Sequence, residues 1–448
     1  MVDKGINQRS ALKIEKDHPL YHLKRMVWNL NIDQYPAVIF ECKNEREVVD
    51  AVHYALNHGL KITVRGGGFH PAGKSVMDEA VLIDLSHMNN VQIDEVSKIA
   101  TVEAGARTFE VDNPSQEYGL ATPLGIVSNL GVSGTALGGG IGYLRGLYGL
   151  TSDNIVGVHI VTGDGQLLYV NQFEHPELFW AVRGAGSNYG VVTKFEFKLH
   201  PVGRNVLGLD VVYDFKDLHE IMNKVEVYRQ TAVDEIAFNI VLTNKQPDTN
   251  EPDEKLVYLY GMYTGELNLY VEEQIIQPLI ELATPIEDNV EVMTYMEMQS
   301  KYDKYLQGGV GVKGISLFFN EINNQVLDIL TSEFEKTDLR VVIQIVELHG
   351  QVNRIPLNET AFAIRDASYL MLIDAEVGTN PDEAEDWILH MYQKLLPYSY
   401  NQISYLNCSL VNEDIIKNSY SNIIERLVAL KKEYDPNNLF ASNHKLIE

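Results

Sequence analysis

The sequence predicts an α+β protein built from more than one folding unit, and three observations carry that reading. Residues 37–64 open with a β-α-β pattern. Val191–Leu199 alternates strictly, with Val191, Thr193, Phe195, Phe197 and Leu199 on one face and Lys194, Glu196 and Lys198 on the other, before His200-Pro-Val-Gly-Arg204 breaks the pattern. Beyond that break glycine thins out, acidic residues become frequent, and strands alternate with amphipathic helices. A chain of 448 residues has room for two or three such units.

Taking the elements in order, residues 1–30 carry scattered charge and are expected to form an irregular lead-in containing Trp28. Ala37–Phe40 reads as a strand. Glu45–His58 reads as a helix, because Val48, Val52, Ala55 and Leu56 share a face, Asn44 can cap its start and Gly59 follows its last turn. The strands Lys61–Val64, Val81–Leu85 and Ala100–Val102 follow, the last two separated by a polar connection. Ile155–Val161, Thr-Gly-Asp-Gly and Gln166–Val170 form a β-hairpin signature. Pro176–Arg183 reads as a short helix, with proline at its start and Gly184 past its end. In the second half Ile236–Leu242 and Lys255–Met262 read as strands, Val271–Leu282 as an amphipathic helix, and Tyr420–Lys432 as a helix stopped by Asp435-Pro436.

Composition bounds the function. The chain is 45% hydrophobic and 22% charged, with a net charge of −26. That charge argues against a general nucleic-acid binder, which needs a positive surface, but allows a small anionic ligand held by a local nest of backbone amides. Cys42 and Cys408 are the two cysteines, with no spacing for zinc or a disulfide framework, which suits a reducing, cytoplasmic setting. Met-Val-Asp-Lys-Gly-Ile-Asn lacks the apolar stretch of a signal peptide. No run reaches the ~18 apolar residues of a membrane span. The expected partner is a small molecule, with no nucleic acid, membrane or metal.

Two glycine-dense segments carry the chemistry. Arg65-Gly-Gly-Gly-Phe-His70 follows directly on an apolar strand, and Gly131-Val-Ser-Gly-Thr-Ala-Leu-Gly-Gly-Gly-Ile-Gly142 has too few large side chains to build core. Each glycine costs roughly 0.5–1 kcal/mol in a regular element, so such density suggests close approach of backbone to a ligand. Gly68-Phe-His-Pro-Ala-Gly73-Lys74-Ser75 meets the P-loop expression. Only Val76–Ala80 separates it from the next strand, however, so no phosphate-facing helix fits, and Lys74 reads as a solvated loop lysine. Gly184-Ala-Gly186-Ser-Asn-Tyr-Gly190 has the wrong spacing for a Rossmann fingerprint and follows a helix rather than a strand.

The ordered series Arg65-Gly-Gly-Gly, Leu82-Ile-Asp-Leu-Ser86, Val102-Glu-Ala-Gly105, Leu120-Ala-Thr-Pro123, Gly131–Gly142, Tyr148-Gly-Leu-Thr-Ser-Asp-Asn154, Asp164-Gly165 and Leu178–Val192, with Tyr434-Asp-Pro-Asn-Asn-Leu-Phe440 and Asn443 near the C-terminus, resembles the berberine-bridge-enzyme-like FAD-linked oxidoreductases of bacterial type. These flavoproteins belong to the vanillyl-alcohol-oxidase superfamily. The resemblance implies a two-part PCMH-type FAD-binding domain plus an α+β substrate domain with an antiparallel sheet. Its bounds here would be 1–203 for the FAD-binding domain, 204–400 for the substrate domain, and 401–448 for a segment returning to the first.

It implies, further, that FAD is the cofactor. Arg65, Gly66, Gly67, Gly68, Phe69 and His70 would wrap its pyrophosphate, and Gly131, Val132, Gly134, Leu137 and Gly138 would lie along the diphosphate and flavin. Asn154 would steady that loop, Gly190 and Val191 would meet the adenosine end, and Asn443 would lie in the returning segment. Relatives tether flavin through a histidine at the position of Phe69, and some add a cysteine where Val127 stands. Flavin held without a covalent bond is therefore expected, with His70, one residue on, as the other candidate tether. Leu130 precedes the second glycine run, where bulk disfavours O₂, which points to a dehydrogenase-like acceptor. Tyr405 is the candidate catalytic residue. Ile141, Ile364 and Cys408 replace family tyrosines or a histidine, and Arg365 and Asp366 are expected to form a structural ion pair. The implied activity is oxidation of a hydroxyl-bearing small molecule (sugar, alcohol or secondary metabolite) by hydride transfer to flavin. A flavin-binding protein whose catalysis has decayed is the alternative.

Overall fold

Alternating strand faces divide the chain into two main cores with a cleft between them. The structure, a computed structural model, describes residues 11–244, 254–306, 309–378, 380–408, 413–440 and 446. The first core is built on two sheets. Val38–Glu41, Val81–Asp84 and Ile62–Arg65 pair in parallel, with Leu12–Glu15 added antiparallel at the edge. Five antiparallel strands follow in the spatial order Val91–Asp94, Ile99–Glu103, Gly190–Lys198, Ile155–Thr162, Leu167–Asn171. The helix Glu45–His58 buries Val48, Ala51, Val52 and Ala55 in this core. The Asn44 side chain accepts from the Glu47 amide at 3.1 Å, and Gly59 ends the helix at φ +64°. Such a cap contributes about 1 kcal/mol.

The second core lies under one large antiparallel sheet of eight strands. Its backbone order includes Asn205–Asp214, Leu256–Tyr263, Ile236–Thr243, Val341–Glu347, Tyr369–Glu376 and Val312–Phe319. Side chains alternate across a strand. Ile343, Ile345, Met371 and Ile373 therefore join the core under the helices Asn324–Lys336 and Pro381–Leu395. Gln344, Val346, Leu370, Leu372 and Asp374 face the other way, toward the glycine segments of the first core.

The helix Ile424–Tyr434 packs on the first core through Leu427 and Leu430. Lys431, 1% exposed, donates to Asn188 O, Phe440 O and Asp435 Oδ2 (2.6 Å). Leu439 O then accepts from Ile62, and Tyr434 O from Gly163. Among the described residues no helix is long and apolar enough to cross a membrane, and no cluster of His, Cys, Asp or Glu could hold a metal ion.

Three local expectations are corrected. The lead-in is not wholly irregular: Leu12–Glu15 pairs with Val38–Glu41, burying only Ile14, and Tyr21–Lys24 forms one helical turn. The polar connection before Ile99 carries the half-buried edge strand Val91–Asp94. The helix expected over 271–282 is continuous only through a π-turn, Glu272–Ile276.

Candidate cofactor and substrate cleft

Gly67 and Gly131 meet backbone to backbone. A Cβ on Gly67 would lie 2.6 Å from both Cα and N of Gly131, and one on Gly131 would lie 2.5 Å from Gly67 Cα. Real Cβ contacts do not fall under about 3 Å, so no side chain fits in this seam. The loop after the strand Ile62–Arg65 is fixed by Gly68 at φ +74° and by the Trp28 amide donating to Gly68 O at 3.0 Å. The facing segment is held by Thr108 N–H to Leu130 O and Val132 N–H to Ala106 O, both 2.9 Å.

Arg65 turns away from the seam. Its guanidinium donates to Asp84 Oδ2 at 2.5 Å and to Met26 O at 3.0 Å. Burial pushes the Asp84 carboxyl up, but the Arg65 charge and hydrogen bond together with the Ser86 hydrogen bonds outweigh burial and hold it below its ordinary range. Phe69 stacks on Trp28 with centroids 6.0 Å apart, and the Arg107 guanidinium lies 5.1 Å from the Phe69 ring centre. His70 Nδ1 accepts from the Ala72 amide at 3.1 Å while Nε2 lies 2.9 Å from Leu406 O, which fixes the proton on Nε2. Burial lowers its pKa to about 4, so the ring is neutral.

The second glycine run contains a short helix, Val132–Leu137, whose Leu137 O accepts from the amides of Gly184 and Gly186 at 3.0 Å each. Past it, Gly139 (φ +112°) and Gly140 (φ +82°) turn the chain, and Gly140 N–H donates to the Tyr405 phenol oxygen at 3.0 Å. Asn407 Nδ2 donates to the same oxygen at 3.2 Å and to Thr135 O at 3.3 Å. Tyr405 is buried with Phe318 and Phe362 edge-on to it, and that burial raises its pKa, so the phenol is protonated.

The seam, Tyr405 and the open face of the large sheet border one cleft of about 1880 Å³, its mouth included. Gly66, Gly67, Gly68, Phe69, His70, Val127, Leu130, Gly131, Gly134, Leu137, Gly138 and Tyr405 all line it. Arg65, Val132, Asn154, Gly190 and Val191 do not. Val132 and Val191 are core residues, and Gly190 packs on Val161 O while Val192, two residues on, reaches the lining. Asn154 bonds Tyr148 O and Leu150 O at 2.8 Å and His200 at 2.7 Å, behind the segment whose Thr151 and Ser152 amides hold Gly140 O and Gly139 O. Asn443 lies outside the described residues. Arg365 pairs with Asp153 at 2.6 Å, not with Asp366, because its buried guanidinium points inward. Lys74 is no solvated lysine but a half-buried lining residue.

The sheet wall escaped the sequence reading. Asn239, Gln344 and Asp374 line it, and Arg145, fully buried, clamps the two walls: it donates to Gly142 O at 3.0 Å, Glu347 O at 2.8 Å, Phe238 O at 2.7 Å and Asn239 Oδ1 at 3.2 Å. The alternation of Gln344-Ile-Val346 and Leu370-Met-Leu-Ile-Asp374 was the available signal.

Comparison with known proteins fits this geometry. Residues 36–171 match the family described as FAD binding domain, and 404–446 the one described as berberine and berberine like. An FAD-linked oxidoreductase from Dictyostelium discoideum is 30% identical over 93% of this chain and 90% of its own length. (R)-6-hydroxynicotine oxidase from Paenarthrobacter nicotinovorans is 40% identical over 40% of each chain. The crystal structure of 6-hydroxy-D-nicotine oxidase from Arthrobacter nicotinovorans superimposes with a TM-score of 0.88 at 26% identity, covering 98% of both chains.

Proposed function

Because the chain belongs to the berberine-bridge-enzyme-like FAD-linked oxidoreductases, we propose that its cleft holds FAD along the glycine seam and a hydroxyl-bearing small molecule against the sheet wall. The residues present suit that cofactor: Gly66, Gly67, Gly131, Gly134 and Gly138 line the cleft with main chain alone, and at all but Gly134 a Cβ would strike neighbouring protein atoms. Bound FAD supplies a two-electron acceptor for hydride. Residues 1–203 with 401–448 form the FAD-binding part and 204–400 the substrate part, a division supported by the docking of Ile424–Tyr434 on the first core.

The FAD is held without a covalent bond. Phe69 occupies the tether position, Val127 the second one, and both nitrogens of His70 are already hydrogen-bonded. Tyr405 handles the proton of the substrate hydroxyl. Its oxygen already accepts from Gly140 and Asn407, and those two donors stabilise negative charge there as a proton leaves or passes. The single observation that carries this reading is that the side-chain-free seam and Tyr405 open into the same cleft. The substrate is a sugar, an alcohol or a secondary metabolite. The test is to screen such compounds anaerobically against the yellow protein for bleaching of the flavin band. Acid precipitation then gives a yellow supernatant if no tether exists, and a yellow pellet would refute that part.

A further inference from the structure

The turn at Pro71–Gly73 delivers two consecutive side chains into the cleft. Gly73 has φ +63°, its amide donates to His70 O at 2.9 Å, and a Cβ there would strike Ile32. Lys74 and Ser75 follow, and both line the cavity. The Ser75 hydroxyl is buried with no partner among the described residues. The Lys74 ammonium likewise has none, and burial alone acts on it, lowering its pKa. Among the other Arg, His and Asp side chains of the lining, Arg145 spends its donors on four oxygens, His70 is neutral, and Asp374 stands on the sheet wall. A half-buried cation and an unsatisfied hydroxyl at consecutive positions of one lining, in a protein of net charge −26, would suit an anionic oxygen group.

The loop also shows which part of the cleft this site serves. Asn29 Nδ2 donates to Pro71 O at 2.6 Å and to Val312 O at 2.9 Å, and Asn29 Oδ1 accepts from Val312 N–H at 3.1 Å. The 70–75 loop is thus sewn to the sheet strand Val312–Phe319, whereas the seam at Gly67 and Gly131 offers its own bare backbone.

We propose that Lys74 and Ser75 recognise a carboxylate or phosphate on the substrate, so that the compounds oxidised are acidic ones. The inference rests on the cleft being the flavin and substrate site. It is tested on flavin-loaded wild-type, Lys74→Met, Lys74→Arg and Ser75→Ala proteins. Benzoate, inorganic phosphate and neutral benzyl alcohol are titrated while the flavin absorption is followed, and FAD release is measured by fluorescence on dilution. Wild type should bind benzoate or phosphate at least tenfold more tightly than benzyl alcohol. Lys74→Met should lose that preference and Ser75→Ala should lose part of it. Lys74→Arg should keep it, and FAD release should stay within twofold throughout. Equal weakening for benzyl alcohol would overturn the proposal, as would a flavin-loaded wild type indifferent to both anions. A tenfold faster loss of FAD from Lys74→Met with anion binding intact would assign the charge to the cofactor and overturn it too. Protein that takes up no FAD at all would overturn the underlying reading with it.

Discussion

Gly67 and Gly131 lie on separate loops yet approach so closely that a methyl group on either would overlap the main chain of the other. Gly67→Ala and Gly131→Ala should each force the loops apart. Overpacking of this kind costs about 1–3 kcal/mol, so both variants should unfold at lower urea concentration. Both should also be purified with little FAD. A control at Gly134, where a Cβ meets nothing within 4 Å, should retain stability near wild type.

Removal of the Tyr405 hydroxyl should slow the reaction without emptying the site. Tyr405→Phe keeps the ring between Phe318 and Phe362 and leaves the Gly140 amide without its acceptor. Reductive half-reaction rates measured by stopped flow should fall by about 10²-fold, with FAD content unchanged. A variant as fast as wild type would remove Tyr405 from the chemistry.

His70 gives a pH dependence of defined sign. Its pKa falls from 6.5 in the unfolded chain to about 4 in the folded one, because burial disfavours the charged ring. The unfolded state therefore binds the proton first, and stability is lost as pH drops from about 6.5 toward 4. His200 shares this behaviour, also at about 4 through burial. Urea midpoints between pH 7 and pH 4.5 should fall less steeply for His70→Gln than for wild type.

Phe69→His should place an imidazole beside Trp28 at the position that the family resemblance gives to a tether, and acid-precipitated protein should then keep its yellow colour. A colourless pellet would show that the Trp28 stack holds the ring away from the flavin.

Lys431 and Asp435 form an ion pair with almost no exposure. Lys431→Met leaves the Asp435 carboxylate buried with, among the described residues, the Leu439 and Phe440 amides as its remaining donors. Such half-removal of a buried pair typically costs 3–5 kcal/mol. Thermal unfolding should shift strongly downward, and protease cleavage near residue 435 should rise.

Much of this was legible in the residues. Asn44, the apolar face of Glu45–His58 and Gly59 specify a helix locally, and Gly190–Lys198 alternates along its length. The two glycine runs announced a place where main chain is bare. The opposite wall was not legible, because alternation in Gln344–Val346 and Leu370–Asp374 shows that two faces exist but not which one the helices cover. Asn407 and Arg145 work through backbone oxygens distant in sequence, and no local pattern encodes those partners. The edge strand Leu12–Glu15 is four residues long and buries one side chain, too weak a period to separate from a loop.

The clamp made by Arg145 has a consequence for how such a cavity changes over time. One rigid guanidinium sets the gap between the Gly142 and Phe238 carbonyls, so the gap is held by a strut rather than by a hinge. New ligands would then be accommodated by swapping the short side chains that paper the walls, while the distance between the walls stays constant.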